Sequence, residues 1–387
     1  MIDRRRQQQI VRRLLGQNPV VAILGARQVG KTTLARKFVE QQARPATIFD
    51  LERSQDLARL EDPELALQDL RGTVVLDEIQ RRPELFPTLR VLADRPRKPA
   101  RFLVLGSASP DLLRQSSESL AGRISYHELS GFTLEEVGIG NLNRLWLRGG
   151  FPRSYTARSN GESKAWREDF VGTFLERDIP QLGITIPARS LERFWAMLAH
   201  YHGQIWNASE FARAFGVSHH VIRRYLDTLQ ATFMIRVLRP WTANLKKRQV
   251  KAPKVYIRDS GVLHNFLEIT SIRDLERHPK IGASWEGFIL EAVMQRLDAK
   301  PAQCYFWATH TGAELDLLVV HGRHNYGFEI KRTTAPKITP SMRSALEDLP
   351  LTRLDVVHAG SDTYPLGRNI RALAAERLLD DLRPLRN

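Results

Sequence analysis

The chain has 387 residues, 42% of them hydrophobic, and its 58 Lys and Arg residues outnumber its 43 Asp and Glu residues. This length predicts two to four domains at about 100–200 residues each. No run approaches the roughly 18–20 apolar residues of a membrane helix, and the charged N-terminal segment lacks the apolar core of a secretory signal, so we expect a cytoplasmic protein without a membrane span. The single cysteine, Cys304, excludes an internal disulfide and a cysteine-cluster zinc site.

Short apolar runs alternate with amphipathic stretches between residues 19 and 130. This alternation is typical of a parallel sheet that is covered by helices on both faces, so we predict an α/β fold for this part of the chain. The predicted strands are 19–25, 46–51, 72–78, 101–107 and 123–129.

The first predicted strand runs into a segment with the spacing G-x-x-x-x-G-K-[ST], and a helical stretch follows it. In such a loop the glycines allow backbone N–H groups to surround phosphates, and the helix N-terminus adds a favourable partial charge. We expect Lys31 to contact the β- and γ-phosphates of ATP and the Thr32 hydroxyl to ligate Mg²⁺. The predicted nucleotide-binding residues are Gly25, Ala26, Arg27, Gln28, Val29, Gly30, Lys31, Thr32 and Thr33.

Two adjacent acids end the third predicted strand, at the sheet edge where parallel sheets bind ligands. We expect Asp77 to hold Mg²⁺ through its water shell and Glu78 to polarise the attacking water. Ser107 ends the next strand, where it could sense the γ-phosphate, or where Gly106 and Ser107 could simply begin a turn.

An arginine is also expected, because the transition state of phosphoryl transfer carries negative charge. Arg123 is the first candidate and Arg153 the second, and either could instead be a structural ion-pair partner. The arginine could act within one chain or be supplied by a neighbouring copy in a homo-oligomer.

Several segments together closely resemble a large prokaryotic family that pairs an N-terminal AAA-type ATPase with a C-terminal domain of unknown function. The segments are GARQVGKTTL, LDEIQ, VLGSAS, LAGRI, GGFP at 149–152 and FLERDI at 174–179. The family is related to the archaeal-type ATPases, and the resemblance covers most of the chain. It implies an ASCE-type P-loop sheet whose sensor strand lies between the two nucleotide-binding strands. It also implies ATP binding and hydrolysis, but no known biological role.

Residues 207–239 predict a helix-turn-helix followed by a strand of a wing. Ser218 is the expected N-cap of the second helix. Its predicted buried face comprises Val221, Ile222, Tyr225, Leu226 and Leu229. This orientation leaves four bases exposed where they could reach DNA, although many AAA-type proteins use winged helices only for packing. These bases are His219, His220, Arg223 and Arg224.

A basic segment without any acid lies between Asp227 and Asp259. Because the pI of the whole chain is about 10.2, a polyanionic partner such as DNA is the simplest explanation, with a solvated basic face as the alternative. The bases are Arg236, Arg239, Lys246, Lys247, Arg248, Lys251, Lys254 and Arg258, of which Lys246, Lys247 and Arg248 are the predicted DNA contacts.

Residues 311–332 predict two strands joined by a polar turn. Glu329 and Lys331 share one face of the second strand, and folding the hairpin brings Asp316 of the first strand near Glu329. Upstream, an amphipathic helix carries Glu286. Carboxylates with one lysine can form a Mg²⁺ site that activates water, and the pattern resembles the E…D…E-x-K arrangement of the restriction-endonuclease-like fold. An exposed strand face with paired charges, or a silent active site, are the alternatives.

These predictions give four domains: an ATPase core at 1–130, a helical lid at 131–190, a winged helix-turn-helix at 191–245 and an α/β restriction-endonuclease-like domain at 246–387. The leading hypothesis is an Mg²⁺-dependent ATPase that acts on DNA and controls a nuclease-like domain through its nucleotide state. The second is an ATP-dependent switch that binds DNA or protein, with a silent nuclease fold. The third is a protein-remodelling ATPase with a merely solvated basic patch.

Overall fold

The structure is a computed structural model that describes residues 2–96, 100–107, 116, 118–242 and 250–385. The chain divides into two compact units, the first comprising residues 1–131 with 231–233 and the second comprising 132–230 with 234–387. The predicted boundaries near 190 and 245 fall inside the second unit.

In its described residues, the first unit contains a five-stranded parallel sheet with the strand order β2-β3-β4-β1-β5. The predicted parallel sheet is therefore confirmed. Strand β4 lies between β1 and β3, which is the order that the family resemblance implies. The strands are β1 Val20–Leu24, β2 Ala46–Asp50, β3 Gly72–Asp77, β4 Ala100–Gly106 and β5 Ile124–Glu128.

Strand β1 is apolar along its whole length because helices cover both faces of the sheet. Every residue of β1 is buried. Side chains on one face, including Ala22, Val74 and Val104, pack against Leu85 and Leu89 of α5 in a single core cluster. The opposite face contacts α1 and α2. The helices described in this unit are α1 Arg5–Gln17, α2 Lys31–Glu40, α3 Ser54–Arg59, α4 Pro63–Gln68 and α5 Leu85–Ala93.

The second unit begins with helices, as the sequence predicts for residues 131–190. A π-helical turn, Phe174–Asp178, lies between the fourth and fifth of them. The helices are α6 Leu134–Val137, α7 Leu142–Arg148, α8 Pro152–Thr156, α9 Asn160–Thr173, α10 Ile179–Gln181 and α11 Ala188–His200.

Two helices joined by a three-residue turn follow, α12 Ala208–Phe215 and α13 His219–Ala231. Gly216 adopts the left-handed backbone conformation that ends α12, with φ 65°. Four of the five predicted core positions of α13 are buried, whereas Val221 is only half-buried. Thr228 lies on the buried face in addition.

The strands of this unit form, in its described part, one nine-stranded mixed sheet with the order β13-β14-β12-β11-β10-β9-β7-β8-β6. The strands next to the two-helix segment thus continue into the C-terminal sheet, through a parallel contact between β7 and β9. The strands are β6 Gln204–Ile205, β7 Ile235–Pro240, β8 Lys254–Ile257, β9 Cys304–Ala308, β10 Glu314–His321, β11 His324–Lys331, β12 Arg353–His358, β13 Tyr364–Gly367 and β14 Ile370–Ala374.

The remaining described helices of this unit pack on the sheet or on one another. They are α14 Ser260–Phe266, α15 Ile272–Arg277, α16 Ile281–Leu297, α17 Pro340–Asp348 and α18 Leu378–Asp381. Met342 and Ala345 of α17 pack on Leu318 and Val356. The helix α16 contacts β10 and β11. It is buried on nearly all sides rather than amphipathic, which corrects the sequence expectation and is typical of a central core helix.

Candidate functional site

The loop after β1 has the backbone geometry of a phosphate-binding loop. Gly30 has φ 93°, in the left-handed region that favours glycine. At Gly25, an added Cβ atom would lie 2.2 Å from the carbonyl oxygen of Leu129, so only glycine allows the end of β5 to approach this closely. Gln28 also adopts a left-handed conformation, with φ 65°. Gly25 therefore stands where a Cβ atom would clash, and Gly30 stands where the backbone conformation favours glycine.

Lys31 lies buried inside this loop. Its Nζ donates hydrogen bonds to the carbonyl oxygens of Gly25 at 3.0 Å and Ala26 at 2.9 Å. Both acceptors are neutral backbone groups, so the ammonium is held in position while its charge is not offset by these two partners. A phosphate group is the partner that this geometry suits.

Asp77 ends β3 and is buried beside Thr32 of α2. Burial raises the pKa of Asp77, while a hydrogen bond with the Thr32 side chain lowers it. A carboxylate and a hydroxyl at hydrogen-bond distance present two oxygen donors at one point, and this donor set fits Mg²⁺. These are the two residues that the sequence predicts as metal ligands of the nucleotide site.

Glu78 follows Asp77 in a left-handed backbone conformation, with φ 59° and ψ 45°. Non-glycine residues in this region are uncommon and concentrate at functional sites. Its backbone N–H donates to Asp77 Oδ1 at 3.0 Å, and its carboxylate accepts a hydrogen bond from the Gln80 side chain. Ser107, directly after β4, lies at the same sheet edge between β1 and β3.

Arg4 contacts the phosphate-binding loop and is missed by the sequence analysis. Its guanidinium donates to the carbonyl oxygen of Val29 at 3.1 Å and to those of Ser130 and Gly131 at 3.0 and 3.1 Å. The side chain is buried. In the sequence it is one of three consecutive arginines, and no local pattern distinguishes it from its neighbours.

Arg123 lies at the end of the sheet opposite the nucleotide loop, and of the two possibilities left by the sequence, action within one chain or on a neighbouring copy, this position favours the second. It immediately precedes β5, and its carbonyl oxygen accepts a hydrogen bond from Val20 at the start of β1, whereas the loop follows the end of β1. Its guanidinium pairs with Asp94 at 2.6 Å, and this hydrogen bond raises the pKa of Arg123. Arg153, the second candidate, is exposed on α8.

The bases expected to face DNA on α13 are exposed. They are His219, His220, Arg223 and Arg224, and the last of them donates to the Thr185 hydroxyl at 3.3 Å. The predicted contacts Lys246, Lys247 and Arg248 lie outside the described residues.

Part of the basic segment is not a solvated surface. Arg236 on β7 and Arg258 beyond β8 both pair with the buried Glu291 of α16, at 2.9 Å from Arg236 Nη2 and 3.6 Å from Arg258 Nε. Although burial alone raises the pKa of Glu291, the two arginines hold it below its usual value. These two bases, together with Lys254, therefore stabilise the interior of the second unit.

The C-terminal carboxylates converge at β10, β11 and α16. The register that pairs Leu317 with Phe328 sets Asp316 opposite Glu329, and both are buried. Asp316 Oδ2 accepts a hydrogen bond from the backbone N–H of Ile330 at 2.8 Å. Lys331 pairs with Glu329 at 2.7 Å. The predicted proximity of Asp316, Glu329 and Lys331 is thus present.

Lys254 of β8 lies among these carboxylates, which the sequence analysis does not predict. Its Nζ contacts Glu314, Glu286 Oε1 at 3.3 Å and Asp316 Oδ1 at 3.7 Å. Tyr256, two residues along the same strand, donates its hydroxyl to Glu286 Oε1 at 2.6 Å. A signal exists in the sequence, because Lys254 and Tyr256 share one face of a short apolar strand, where a lysine needs an acidic partner.

We call this group the C-terminal carboxylate cluster; it comprises Lys254, Glu286, Glu314, Asp316 and Glu329. The pKa values in the cluster reflect the crowding of like charges. Burial, and then repulsion from Asp316, raise the pKa of Glu286 to about 7 and that of Glu329 to about 7. Burial alone would lower the pKa of Lys254, but nearby acidic groups raise it well above its ordinary value. The lysine therefore stays charged at neutral pH.

The Mg²⁺ site expected at Glu286, Asp316 and Glu329 stays a prediction, and two observations bear on it. In the part of the chain that the structure describes, no group of three or more His, Cys, Asp or Glu side chains is arranged to hold a metal ion. The Lys254 ammonium lies where a divalent ion would have to contact Glu286 and Asp316. In this arrangement the residues present do not fit a metal ion.

Comparisons with known proteins agree with the first unit described above. Residues 17–138 match the AAA domain family, and the geometry of the loop, Asp77 and Glu78 is that of a P-loop ATPase. The chain thus carries an AAA-type, ATP-binding unit. Residues 139–273 and 281–378 match two domains of unknown function, DUF8612 and DUF4143. The described residues include no helix long and apolar enough to cross a membrane.

The chain belongs to the same family as two mycobacterial relatives, uncharacterized protein Rv2008c of Mycobacterium tuberculosis and uncharacterized protein Mb2031c of Mycobacterium bovis. Each is 52% identical over 379 residues, which is 98% of this chain and 85% of the relative. Among solved structures, the Walker-type ATPase paby2304 of Pyrococcus abyssi is 17% identical and has a TM-score of 0.47, covering 69% of this chain and 96% of that chain. RuvB of Thermotoga maritima is 16% identical with a TM-score of 0.29, covering 61% and 90%.

Proposed function

We propose that this protein is an Mg²⁺-dependent ATPase that acts on DNA through its second unit. The observation that carries the ATPase part is the convergence of Lys31, Thr32, Asp77 and Glu78 at the C-terminal edge of one parallel sheet, where such sheets bind ligands.

Each residue has a distinct role in this proposal. Lys31 binds the β- and γ-phosphates in place of the two loop carbonyls that it now contacts. Thr32 and Asp77 would hold Mg²⁺, which supplies positive charge to the phosphates when it is bound. Glu78 orients the attacking water and accepts its proton. Ser107 directly follows β4, which lies between β1 and β3, and in this proposal its hydroxyl hydrogen-bonds the γ-phosphate or the water.

The DNA part is supported by charge and by the arrangement around α13. The net charge of the chain is +15, and the basic side chains at the N-terminal end of α13 are exposed. The order of α11, β6, α12, α13, β7 and β8, with β8 paired to both β6 and β7, is consistent with a winged helix. Protein remodelling, with these bases merely solvated, is the outcome that a negative DNA result would favour.

The experiment combines nucleotide state with DNA binding. We expect Glu78→Gln to bind ATP but to lose turnover by at least about 100-fold, because the amide keeps the shape of the carboxylate and loses its basicity. Fluorescence anisotropy with a duplex would then compare DNA affinity of this variant with ATP, with ADP and without nucleotide. The matched control is Glu64→Gln, an exposed position on α4. Turnover at the wild-type rate in Glu78→Gln would remove Glu78 from the mechanism.

The DNA surface is tested separately with the double variant Arg223→Ala/Arg224→Ala. We expect weaker binding to all duplexes and a salt dependence with a slope smaller by about one for each lost phosphate contact. Arg189→Ala, an exposed arginine on α11, is the control. An unchanged slope in the double variant would assign these bases to solvent or to another partner. Lys246, Lys247 and Arg248 can be replaced together in the same assay.

The C-terminal domain has two possible roles, cleavage of DNA and a silent nuclease-like site. The position of Lys254 among the carboxylates favours the silent site in this conformation. Nicking of supercoiled DNA with Mg²⁺ or Mn²⁺, with ATP, a non-hydrolysable analogue or no nucleotide, distinguishes the two. If wild type does nick DNA, Glu329→Ala should abolish the activity and Lys331→Ala should slow it, while ATP hydrolysis by the separate first unit persists.

A further inference from the structure

The buried lysine of the C-terminal carboxylate cluster is held by its strand. β8 is paired on both sides, with Lys254 opposite Leu238 of β7 and opposite Ile205 of β6. The side chain is 3% exposed. Its Nζ also lies 5.7 Å from the centre of the Phe306 ring, within the range of a cation–π contact. The backbone and the ring together fix the ammonium at one place.

The ammonium of Lys254 lies among the carboxylate oxygens that a divalent ion would need as ligands. Lys254 Nζ contacts one carboxylate from the helix α16 and two from β10, namely Glu286, Glu314 and Asp316. Mg²⁺ requires such oxygens at about 2.0–2.1 Å in octahedral geometry. A second cation at this distance from the same oxygens would lie within a few ångströms of the ammonium, and the two charges would repel each other.

A second feature of the cluster is an excess of carboxylates over cations. Glu329 is buried, and its Oε2 has no hydrogen-bond partner among the residues that the structure describes, although its Oε1 pairs with Lys331. Asp316 lies opposite Glu329 across the β10–β11 register. Four carboxylates are therefore served by two lysines, of which Lys331 is partly exposed at the rim. The cluster retains negative charge that removal of Lys254 would increase.

We propose that Lys254 is the resident cation of the C-terminal carboxylate cluster and excludes divalent metal ions from it. The lysine holds together three carboxylates that would otherwise repel one another, and the site stays closed to metal as long as Nζ remains there. This inference does not rest on ATP hydrolysis or on DNA binding, and it is tested without nucleotide or DNA.

The test is Mn²⁺ binding by the full chain. Binding is measured by isothermal titration and by the shift in the thermal unfolding temperature. All proteins carry Asp77→Asn, so that the nucleotide site contributes no metal binding. In this background we expect no Mn²⁺ binding and no thermal shift with Lys254 present. Lys254→Met keeps the length of the side chain and removes its charge, and should gain one Mn²⁺ with a Kd below about 1 mM. Lys331→Met, which removes the rim lysine, is the matched control and should gain none.

Two results would overturn the proposal. The first is binding of one Mn²⁺ with Lys254 present that Asp316→Asn abolishes, which would show that the lysine does not exclude the metal. The second is a folded Lys254→Met protein, judged by circular dichroism, that binds no Mn²⁺. Should Lys254→Met fail to fold, Lys254→Met/Glu314→Gln, which removes one uncompensated charge, takes its place with the same expectation.

Discussion

Two buried lysines in this chain differ in the groups to which their ammonium donates hydrogen bonds. Lys31 contacts the neutral carbonyl oxygens of Gly25 and Ala26, whereas Lys254 contacts carboxylates. A backbone carbonyl positions an ammonium, and this position in the phosphate-binding loop is the one from which Lys31 can bind an incoming anion. Carboxylates satisfy both the hydrogen bonds and the charge, so Lys254 holds the protein together.

We predict from this contrast that Lys31→Ala weakens ATP binding by at least about tenfold, because the phosphates lose charge-assisted hydrogen bonds of about 1.5–3 kcal/mol. Isothermal titration with ATP and Mg²⁺ measures the effect. Arg36→Ala, an exposed base on the same helix, is the control and should keep wild-type affinity. Unchanged affinity in Lys31→Ala would refute the assignment of the phosphate-binding loop.

At the scale of elements, the sequence predicts the sheet of the first unit and much less of the second. Strands β1, β3 and β4 are short apolar runs, and their pattern is local. The loop glycines are likewise recognised by their spacing alone. Lys254, in contrast, belongs to a basic segment, and its partner Glu314 is sixty residues away, so only the pairing of the strands brings them together. For the same reason, the sequence predicts surface positions for Arg236 and Arg258.

The buried carboxyl of Glu329, on strand β11, should make the second unit less stable as pH rises. The pKa of Glu329 is about 7 in the folded chain, against an ordinary value of 4.5. A raised pKa means that the folded state favours the protonated carboxyl. The resulting stability is fully present below pH 4.5 and is lost as pH rises through about 7.

We therefore predict that Glu329→Gln becomes more stable relative to wild type as pH rises from about 5 to about 8. The amide is neutral at every pH, so it avoids the buried negative charge. Calorimetric unfolding temperatures at several pH values measure the difference, and each kcal/mol moves Tm by about 2–4 °C in a domain of 150–250 residues. Glu276→Gln, an exposed glutamate on α15, should show no such trend. A constant difference for Glu329→Gln would contradict the raised pKa.

At the scale of the whole molecule, the position of Arg123 bears on assembly. Its side chain lies beside a surface cavity of about 430 Å³ that Val91 and Asp94 also line. Val91 is 49% exposed, which is high for a valine in this unit. Since Arg123 is at the sheet edge opposite the nucleotide loop, it can contribute to hydrolysis only if a neighbouring copy presents it.

The prediction is that Arg123→Ala reduces ATP turnover only at concentrations at which the protein assembles, without changing ATP affinity. The physical reason is that the guanidinium offsets charge that develops in the transition state, and not charge of the bound ground state. Turnover is measured across a dilution series whose oligomeric state is followed by analytical ultracentrifugation.

Mixing Arg123→Ala with Glu78→Gln should restore part of the activity, because a mixed pair then contains one site with an intact Glu78 that faces an intact Arg123. Arg90→Ala, another exposed arginine at the same cavity, is the control for loss of the contact surface itself. If Arg123→Ala hydrolyses ATP at the wild-type rate at every concentration, Arg123 has no part in hydrolysis, and its role is the ion pair with Asp94.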